Sequence, residues 1–302
     1  MQGLTRGSDP GEIMKQIVVI SGKGGTGKTT ICASFAALAK NKVMADCDVD
    51  AADLYLILKP QIKQKEEFWG SKVAYIDKDI CDQGRSCENI CRYEAIDTEN
   101  FTIDEVSCEG CGVCVHFCHR EAITLKENLS GHWFVSDTKY GPFVHAKLGI
   151  AEENSGKLVT LVRQKAKSIA EEQNLNYIII DGPPGIGCPV IASLSGVDLA
   201  LVVTEPTQSG IYDLQRIIGV AKHFNVKSLV CINKYDLNED VSKEIEDYCH
   251  KNKIGLLGKI PYNQTVTKAL VLEKSVIEYS DNGVSQEIRR IWEEIDKDES
   301  RI

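Results

Sequence analysis

The chain has 302 residues, 43% of them hydrophobic and 26% charged, which is typical of a globular protein and not of a disordered or fibrous one. A net charge of −9 argues against a broad basic surface, so general nucleic-acid binding is not expected. The longest stretch without a charge, 182–197, has 16 residues, whereas a membrane-crossing helix needs about 20 apolar residues. Residues 1–13 lack the apolar segment of a signal peptide, and we interpret them as an N-terminal extension or a cloning remnant. We therefore expect a cytoplasmic protein without a membrane anchor.

Six short apolar runs rich in β-branched residues alternate with helical patterns, which predicts parallel strands buried on both faces. The predicted strands are 17–20, 42–46, 177–181, 199–204, 228–233 and 256–260. The helical patterns cover 28–40, 156–173, 210–224, 239–252 and 284–295. This alternation predicts an α/β fold built on a doubly wound, mostly parallel sheet.

The alternation breaks between about 60 and 148, a stretch without long helical patterns. We therefore predict one α/β domain in two parts, 14–59 and 149–302, interrupted by an insert at 60–148 whose core spans about 73–126. The last helical pattern, 284–295, carries apolar residues on one face and has two possible interpretations. A packing helix is favoured over a membrane-surface helix, because acids outnumber bases six to four over 284–302.

The residues after the first predicted strand match the phosphate-binding pattern G-x-x-x-x-G-K-[ST] from Gly22 to Thr29. Glycines let backbone amides turn toward phosphate oxygens, and the N-terminus of the following helix adds a favourable dipole. Lys28 is then expected to reach the β and γ phosphates, and the Thr29 hydroxyl to bind magnesium. The predicted nucleotide-binding residues of this loop are Gly22, Gly24, Gly25, Thr26, Gly27, Lys28, Thr29 and Thr30.

A second lysine, Lys23, lies early in this loop. The loop thereby resembles that of the MinD/ParA/nitrogenase-iron-protein group of P-loop ATPases, which reads KGGxGK[ST] and is a deviant Walker A loop. The resemblance implies a homodimer with ATP and magnesium between two chains, in which Lys23 reaches the nucleotide of the other subunit.

The same resemblance gives roles to residues at the ends of other predicted strands. It implies that Asp46 and Asp181 help to hold magnesium and that Asp48 orients the attacking water. Asn233 resembles the residue that reads adenine, and Pro261 resembles the loop beside the base. Together with Lys23 and Lys28, Asp48 is therefore a candidate catalytic residue, and hydrolysis is expected to be slow without a partner.

Seven of the twelve cysteines lie between 81 and 118, which indicates metal binding more than disulfides in a cytosolic chain. One set has the spacing C-x2-C-x2-C-x3-C of bacterial ferredoxins and fits zinc less well. A second set repeats it 27 residues earlier, but Gly84 stands where the repeat of Cys111 would be. Of the remaining cysteines, Cys32, Cys231 and Cys249 are expected to be buried, and for Cys188 a buried structural role is favoured over a position facing the dimer axis.

In two-cluster ferredoxins the fourth cysteine of each run serves the other cluster, which divides the seven cysteines into two sites. The complete [4Fe–4S] site would consist of Cys91, Cys108, Cys111 and Cys114. The other site would have Cys81, Cys87 and Cys118 and hold [3Fe–4S], hold [4Fe–4S] with an open iron, or be empty. Asp82 lies near this gap but out of register with it, so the spacing does not favour Asp82 as a ligand.

The combination of both motifs resembles a bacterial and archaeal family of MinD-type ATPases with an inserted bacterial ferredoxin-like α+β domain, related to the nitrogenase iron protein and Mrp-type ATPases. The expected function is ATP hydrolysis that gates electron transfer to a redox partner. Two alternatives stay open: delivery of a whole cluster to an apo-acceptor protein, and positioning of other molecules with clusters that sense redox state. The expected cofactors are ATP, Mg²⁺, one [4Fe–4S] cluster and a second cluster.

Overall fold

The computed structural model describes residues 14–149, 155–281 and 283–297; residues 1–13 lie outside this part of the chain. The strands are β1 Lys15–Ser21, β2 Lys42–Asp46, β3 Gln61–Ile76, β4 Ile96–Asp97, β5 Thr102–Ile103, β6 Ile123–Thr138, β7 Gly141–Leu148, β8 Tyr177–Pro184, β9 Leu199–Thr204, β10 Lys227–Asn233 and β11 Gly255–Ile260. The helices are α1 Lys28–Leu38, α2 Leu54–Leu58, α3 Ser86–Ile90, α4 Val113–Phe117, α5 Ser155–Glu172, α6 Cys188–Leu194, α7 Gln208–His223, α8 Glu239–Lys251, α9 Gln264–Val271, α10 Val276–Tyr279 and α11 Gly283–Lys297.

Nine strands form one sheet in the order β11-β10-β9-β1-β8-β2-β7-β6-β3. The strands from β11 to β7 run parallel, and β6 and β3 continue the sheet in antiparallel pairing. Helices α5 to α8 cover one face and helices α1, α2 and α9 to α11 cover the other. Because alternate residues of β1 and β8 are buried against opposite layers, these strands read as continuous apolar runs.

All six predicted strands are present, as are the five predicted helices, and the α/β fold with a mostly parallel sheet is confirmed. The packing interpretation of the last helix is also confirmed. Ile288 and Ile291 of α11 are buried, and the Trp292 ring lies 5.1 Å from the ring of Phe35 on α1. Among the described residues, no helix is both long and apolar enough to cross a membrane.

The sequence predicts residues 60–148 as an insert. At the two ends of this range, three strands that the sequence did not predict join the main sheet. β7 pairs with β2, β6 pairs with β7, and β3 pairs with β6. The β3–β6 pair, which we call the arm, has 16 residues in each strand and spans about 50 Å. Residues 77–122 follow the far end of the arm, and we call them the head.

The arm is irregular near its middle, at residues 68–71 and 129–131, which we call the elbow. The register shifts on both sides of Trp69, so that neither Gly70 nor Ser130 has a partner in the ladder. The buried Ser130 hydroxyl instead accepts hydrogen bonds from the backbone amides of Gly70, at 3.2 Å, and Ser71, at 3.0 Å. Such bulges bend a strand pair, so the elbow sets the direction of the arm.

Candidate functional site

The loop between β1 and α1 has the backbone of a phosphate-binding loop. Gly25 and Gly27 have φ angles of 77° and 96°, which glycine adopts without steric cost. Gly27 caps α1, so the helix begins at Lys28 with its N-terminal amides directed into the loop. Lys28 is only 5% exposed, and its charge acts on Asp181 and Asp48.

Residues from β10 and β11 lie beside this loop, where the sequence predicts the adenine site. Asn233 donates a hydrogen bond of 2.7 Å from Nδ2 to the Thr26 carbonyl. Asn233 pairs with Ile260 across the two strands, so Pro261 follows directly on the neighbouring strand. The structure therefore places Asn233 against the loop and Pro261 at the end of the neighbouring strand.

Three carboxylates predicted from strand ends come together next to Lys28. Asp46 and Asp181 are direct partners in the β2–β8 pairing, and both are buried. Asp46 accepts hydrogen bonds from the amides of Asp48, at 3.1 Å, and Leu54, at 3.3 Å. Thr29 lies close enough to Asp181 to lower the pKa of that carboxyl, and the Oδ1 atom of Asp181 has no hydrogen-bond partner.

The electrostatics of this group favour a bound cation. Burial raises the pKa of Asp46 well above its usual range, and the nearby Asp181 charge raises it further. Burial raises the pKa of Asp181 to about 6 even though the charge of Lys28 opposes the shift. Burial likewise raises the pKa of Asp48 to about 6. Carboxylates that are costly to ionise without a partner are suited to a site where a divalent ion binds with the nucleotide.

In the described ranges, no three side chains of histidine, cysteine, aspartate or glutamate converge closely enough to hold a metal ion alone. Magnesium differs from calcium or zinc in this respect, because proteins usually hold it through one or two carboxylates, waters and substrate phosphates. The unpartnered Oδ1 of Asp181 and the adjacent Thr29 hydroxyl fit such a partial site.

Lys23 has partners within its own chain. Its ammonium lies 2.6 Å from the Glu205 carboxylate, 3.1 Å from the Thr207 hydroxyl and 3.2 Å from the Ser209 hydroxyl. Lys234 also binds Glu205, at 3.2 Å. Burial would raise the pKa of Glu205, but the hydrogen bonds from the two lysines outweigh it and lower that pKa.

Sequence reasoning did not identify Glu205 as part of the site. The segment after β9 carries one local signal, a threonine before a helix: Thr207 caps α7 and accepts a hydrogen bond of 2.9 Å from the Gly210 amide. Glu205 precedes this cap, yet its pairing with Lys23 spans 182 residues and leaves no local pattern.

In the head, four cysteines line one cavity of about 480 Å³. They are Cys91, Cys108, Cys111 and Cys114, the set that the sequence predicts for one complete site. The rest of the lining includes Ile96, Ile103 and other apolar side chains. Burial, with smaller contributions from the other three cysteines, raises the pKa of Cys114 to about 11. The Cys108 sulfur accepts a hydrogen bond from the Ala74 amide at 3.4 Å.

The other three cysteines of the head form a second group. Burial raises the pKa of Cys87, and Cys81 and Cys118 are the cysteines close enough to raise it further. The Ala122 amide donates a hydrogen bond of 3.3 Å to the Cys118 sulfur. The two groups therefore divide the seven cysteines as the sequence predicts.

Backbone contacts repeat across the head with the 27-residue period of the sequence. The Asp77 amide binds the Ala122 carbonyl and the Asp104 amide binds the Ala95 carbonyl, both at 2.8 Å. Helices α3 and α4 are likewise 27 residues apart. Each of these two hydrogen bonds joins a residue of the first repeat to a residue of the second repeat. This is the pattern expected of two repeats related by an internal two-fold axis.

The remaining cysteines separate into buried and exposed positions. Cys32, Cys231 and Cys249 are buried, as predicted. The favoured prediction of a buried Cys188 is wrong, because this residue starts α6 at an exposed position. It lines a groove of about 1190 Å³ between α5 and α6, whose lining includes none of the predicted nucleotide-binding residues.

Comparison with known proteins identifies similar chains along most of this length. The family model described as the CobQ/CobB/MinD/ParA nucleotide binding domain matches residues 17–276. An uncharacterized protein of Methanocaldococcus jannaschii is 35% identical over 286 residues, which cover 94% of this chain and 97% of that protein. An iron–sulfur cluster carrier protein of Pyrococcus abyssi is 24% identical over 154 residues, 46% of this chain and 52% of that protein.

Solved structures share the fold. The septum site-determining protein MinD from Pyrococcus horikoshii, complexed with Mg-ADP, matches with a TM-score of 0.57 and 18% identity. The match covers 94% of this chain and 97% of that chain. At this identity the likeness supports the fold alone.

Proposed function

Since this chain belongs to the CobQ/CobB/MinD/ParA nucleotide-binding family, we propose that it is an iron–sulfur ATPase in which nucleotide turnover controls electron transfer through the head. The chain is a P-loop ATPase of this family, and the magnesium dependence of its hydrolysis is part of the proposal. The proposal concerns what hydrolysis controls, and we place this activity in the cytoplasm, where thiols stay reduced.

The single observation that carries the proposal is the cavity lined by Cys91, Cys108, Cys111 and Cys114. Four thiols around one apolar space of about 480 Å³ fit a group bound by all four, and thiolates are the preferred ligands of iron–sulfur clusters. Such a cluster, when bound, supplies one-electron chemistry. The Ala74 amide bond to the Cys108 sulfur would stabilise the thiolate form of this ligand.

The nucleotide site supports phosphoryl transfer by positioning and charge neutralisation. We propose that Lys28 binds the β and γ phosphates while Thr29 and Asp181 hold magnesium, with Asp46 behind them. Asp48, half-buried at the rim, would orient the attacking water. Magnesium, when bound, neutralises the charge on the transferred phosphoryl group.

A hydrogen-bonded path joins the nucleotide site to the arm. In the loop that follows β2, the Val49 carbonyl accepts a hydrogen bond of 3.3 Å from the Leu148 amide. The next amide, that of Gly149, donates to the Ser130 carbonyl at 2.8 Å. Ser130 is the residue whose hydroxyl holds the elbow. A change in the loop that follows β2 would therefore act on the direction of the arm.

The homodimer belongs to the same proposal. In the single chain, Lys23 is paired with Glu205 and two hydroxyls. Reaching a nucleotide in the other subunit requires Lys23 to leave these partners, so ATP would have to favour the dimer over the paired state. A redox protein that approaches the head would then receive electrons from one nucleotide state only.

Cluster delivery is a second candidate, supported by the three-cysteine group and by the partial similarity to a cluster carrier protein. Its partner would be an apo-acceptor protein. A positioning role like that of septum site-determining relatives is a third candidate, supported by the shared fold.

The test starts from the full chain purified without oxygen, with iron and acid-labile sulfide measured per chain. Iron and sulfide in equal amounts, with clusters that dithionite reduces reversibly, are expected. A chain without iron or sulfide would overturn the proposal. If MgATP releases iron and sulfide together to an apo-ferredoxin added as acceptor, cluster delivery replaces electron transfer; the Lys28→Ala variant controls for nucleotide binding.

A further inference from the structure

Two departures from the ferredoxin pattern meet in the head. Gly84 stands where the repeat places Cys111, and His119 follows Cys118 where a ferredoxin run has proline. His119 Nε2 lies 2.8 Å from Asp82 Oδ2, so the imidazole holds one oxygen of this carboxylate.

The other oxygen of Asp82 faces the space that a side chain at position 84 would enter. A Cβ atom at Gly84 would lie 3.3 Å from Asp82 Oδ1 and 3.6 Å from His119 Cε1. The Asp82 carboxylate therefore lies beside position 84, whose equivalent in the other half is Cys111.

The loop around Gly84 keeps the backbone of its counterpart. Gln83 and Arg85 have φ angles of 62° and 56°, close to the 61° and 75° of Gly110 and Gly112. Left-handed backbone is sterically unfavourable for a residue with a side chain. The three-cysteine half thus retains the shape of the four-cysteine half at a steric cost, although its fourth thiol is absent.

We propose that Asp82 is the fourth ligand of the site formed by Cys81, Cys87 and Cys118, with an oxygen in place of a thiolate, and that His119 orients it. This inference rests on the proposed function, because it needs a cluster in the head. Each ligand of a cluster binds a different iron, so these side chains need not converge on one point, and the described residues show no such convergence. Oxygen is a harder ligand than sulfur, so the iron at this corner is the one that exchanges or binds a small external ligand.

The test measures iron and sulfide in the full chain after anaerobic reconstitution with ferrous iron and sulfide. Wild type is compared with Asp82→Asn and with Glu109→Gln, which removes the equivalent acid 27 residues later in the four-cysteine half. We expect about eight irons per chain in wild type and Glu109→Gln, and about seven in Asp82→Asn. The lost iron leaves a [4Fe–4S]²⁺ cluster as Fe²⁺, and one-electron oxidation of the remaining [3Fe–4S]⁰ by ferricyanide gives an EPR signal.

A second variant distinguishes the loss of a ligand from a perturbed structure of the head in Asp82→Asn. Adding Gly84→Cys to Asp82→Asn is expected to restore about eight irons and abolish the EPR signal. The His119→Gln variant is expected to keep the fourth iron but to lose it several-fold faster to a chelator. Equal iron contents in wild type and Asp82→Asn, or about four or seven irons in wild type, would overturn the role of Asp82. No iron in any variant, Gly84→Cys included, would overturn the proposed function as well.

Discussion

Replacing Asp181 with asparagine is expected to stabilise the nucleotide-free chain near neutral pH. Asp181 is buried, its Oδ1 has no partner, and its pKa is raised to about 6. The folded chain therefore binds its proton more tightly than the unfolded chain, so ionisation destabilises the fold as the pH rises from about 4 to above 6.

The size of this effect follows from the pKa. The difference between about 6 and the ordinary 3.8 corresponds to on the order of 3 kcal/mol at pH 7.5, at 1.36 kcal/mol for each unit of pKa. At pH 5 about half of it remains, because the folded carboxyl is then mostly protonated. The new amide costs about 1 to 3 kcal/mol if its donors stay unpaired, but this cost is the same at both pH values.

The assay is urea unfolding of the nucleotide-free chain in EDTA, at pH 7.5 and pH 5. The stability of Asp181→Asn relative to wild type is expected to be about 1 to 1.5 kcal/mol more favourable at pH 7.5 than at pH 5. Glu244→Gln, which removes an exposed acid on α8, serves as the control and is expected to show no such difference. A relative stability of Asp181→Asn that does not change with pH would refute the reasoning.

The remaining predictions concern the loop and the elbow. Glu205→Gln removes the charged partner of Lys23. It is expected to strengthen ATP-dependent dimerisation about two- to fivefold, as measured by analytical ultracentrifugation; unchanged dimerisation would contradict a restraining pair. Ser130→Ala is expected to lower the free energy of unfolding by about 1 to 3 kcal/mol, because it leaves two elbow amides without an acceptor. The control is Ser136→Ala on the same strand, which removes a buried hydroxyl that has no hydrogen-bond partner and is expected to change stability little. If Ser130→Ala and Ser136→Ala lose equal amounts of stability in thermal unfolding, the result would argue against the elbow contact. Gly27→Ala places a side chain at a φ of 96° against Asn233 and is expected to weaken ATP binding at least tenfold by calorimetry, whereas wild-type affinity would contradict this packing.

The strands of the parallel sheet could be predicted from the sequence because both of their faces are buried. Residues 17–20 and 178–180 therefore read as unbroken apolar runs. The arm could not be predicted in this way. Much of β3 between 61 and 67 is exposed, so its residues show neither an apolar run nor a regular alternation.

In the candidate sites, the sequence likewise predicted some features and not others. Local motifs identified the loop from Gly22 to Thr29 and the cysteine spacing, since each needs its residues at fixed separations. Contacts between residues that are far apart in the chain leave no local sequence pattern. Lys23 contacts Glu205, and Asp82 contacts His119, only because the fold brings these segments together. The sequence showed that a thiol is absent at Gly84, but not that the Asp82 carboxylate lies beside that position.

The most direct measurement is the EPR spectrum of the dithionite-reduced full chain with MgATP and with MgADP, for wild type and Lys28→Ala. If nucleotide state acts on the head through the elbow, the wild-type spectrum differs between the two nucleotides and the Lys28→Ala spectrum does not. Reduced clusters whose spectrum is the same with both nucleotides in wild type would contradict control of the head by ATP.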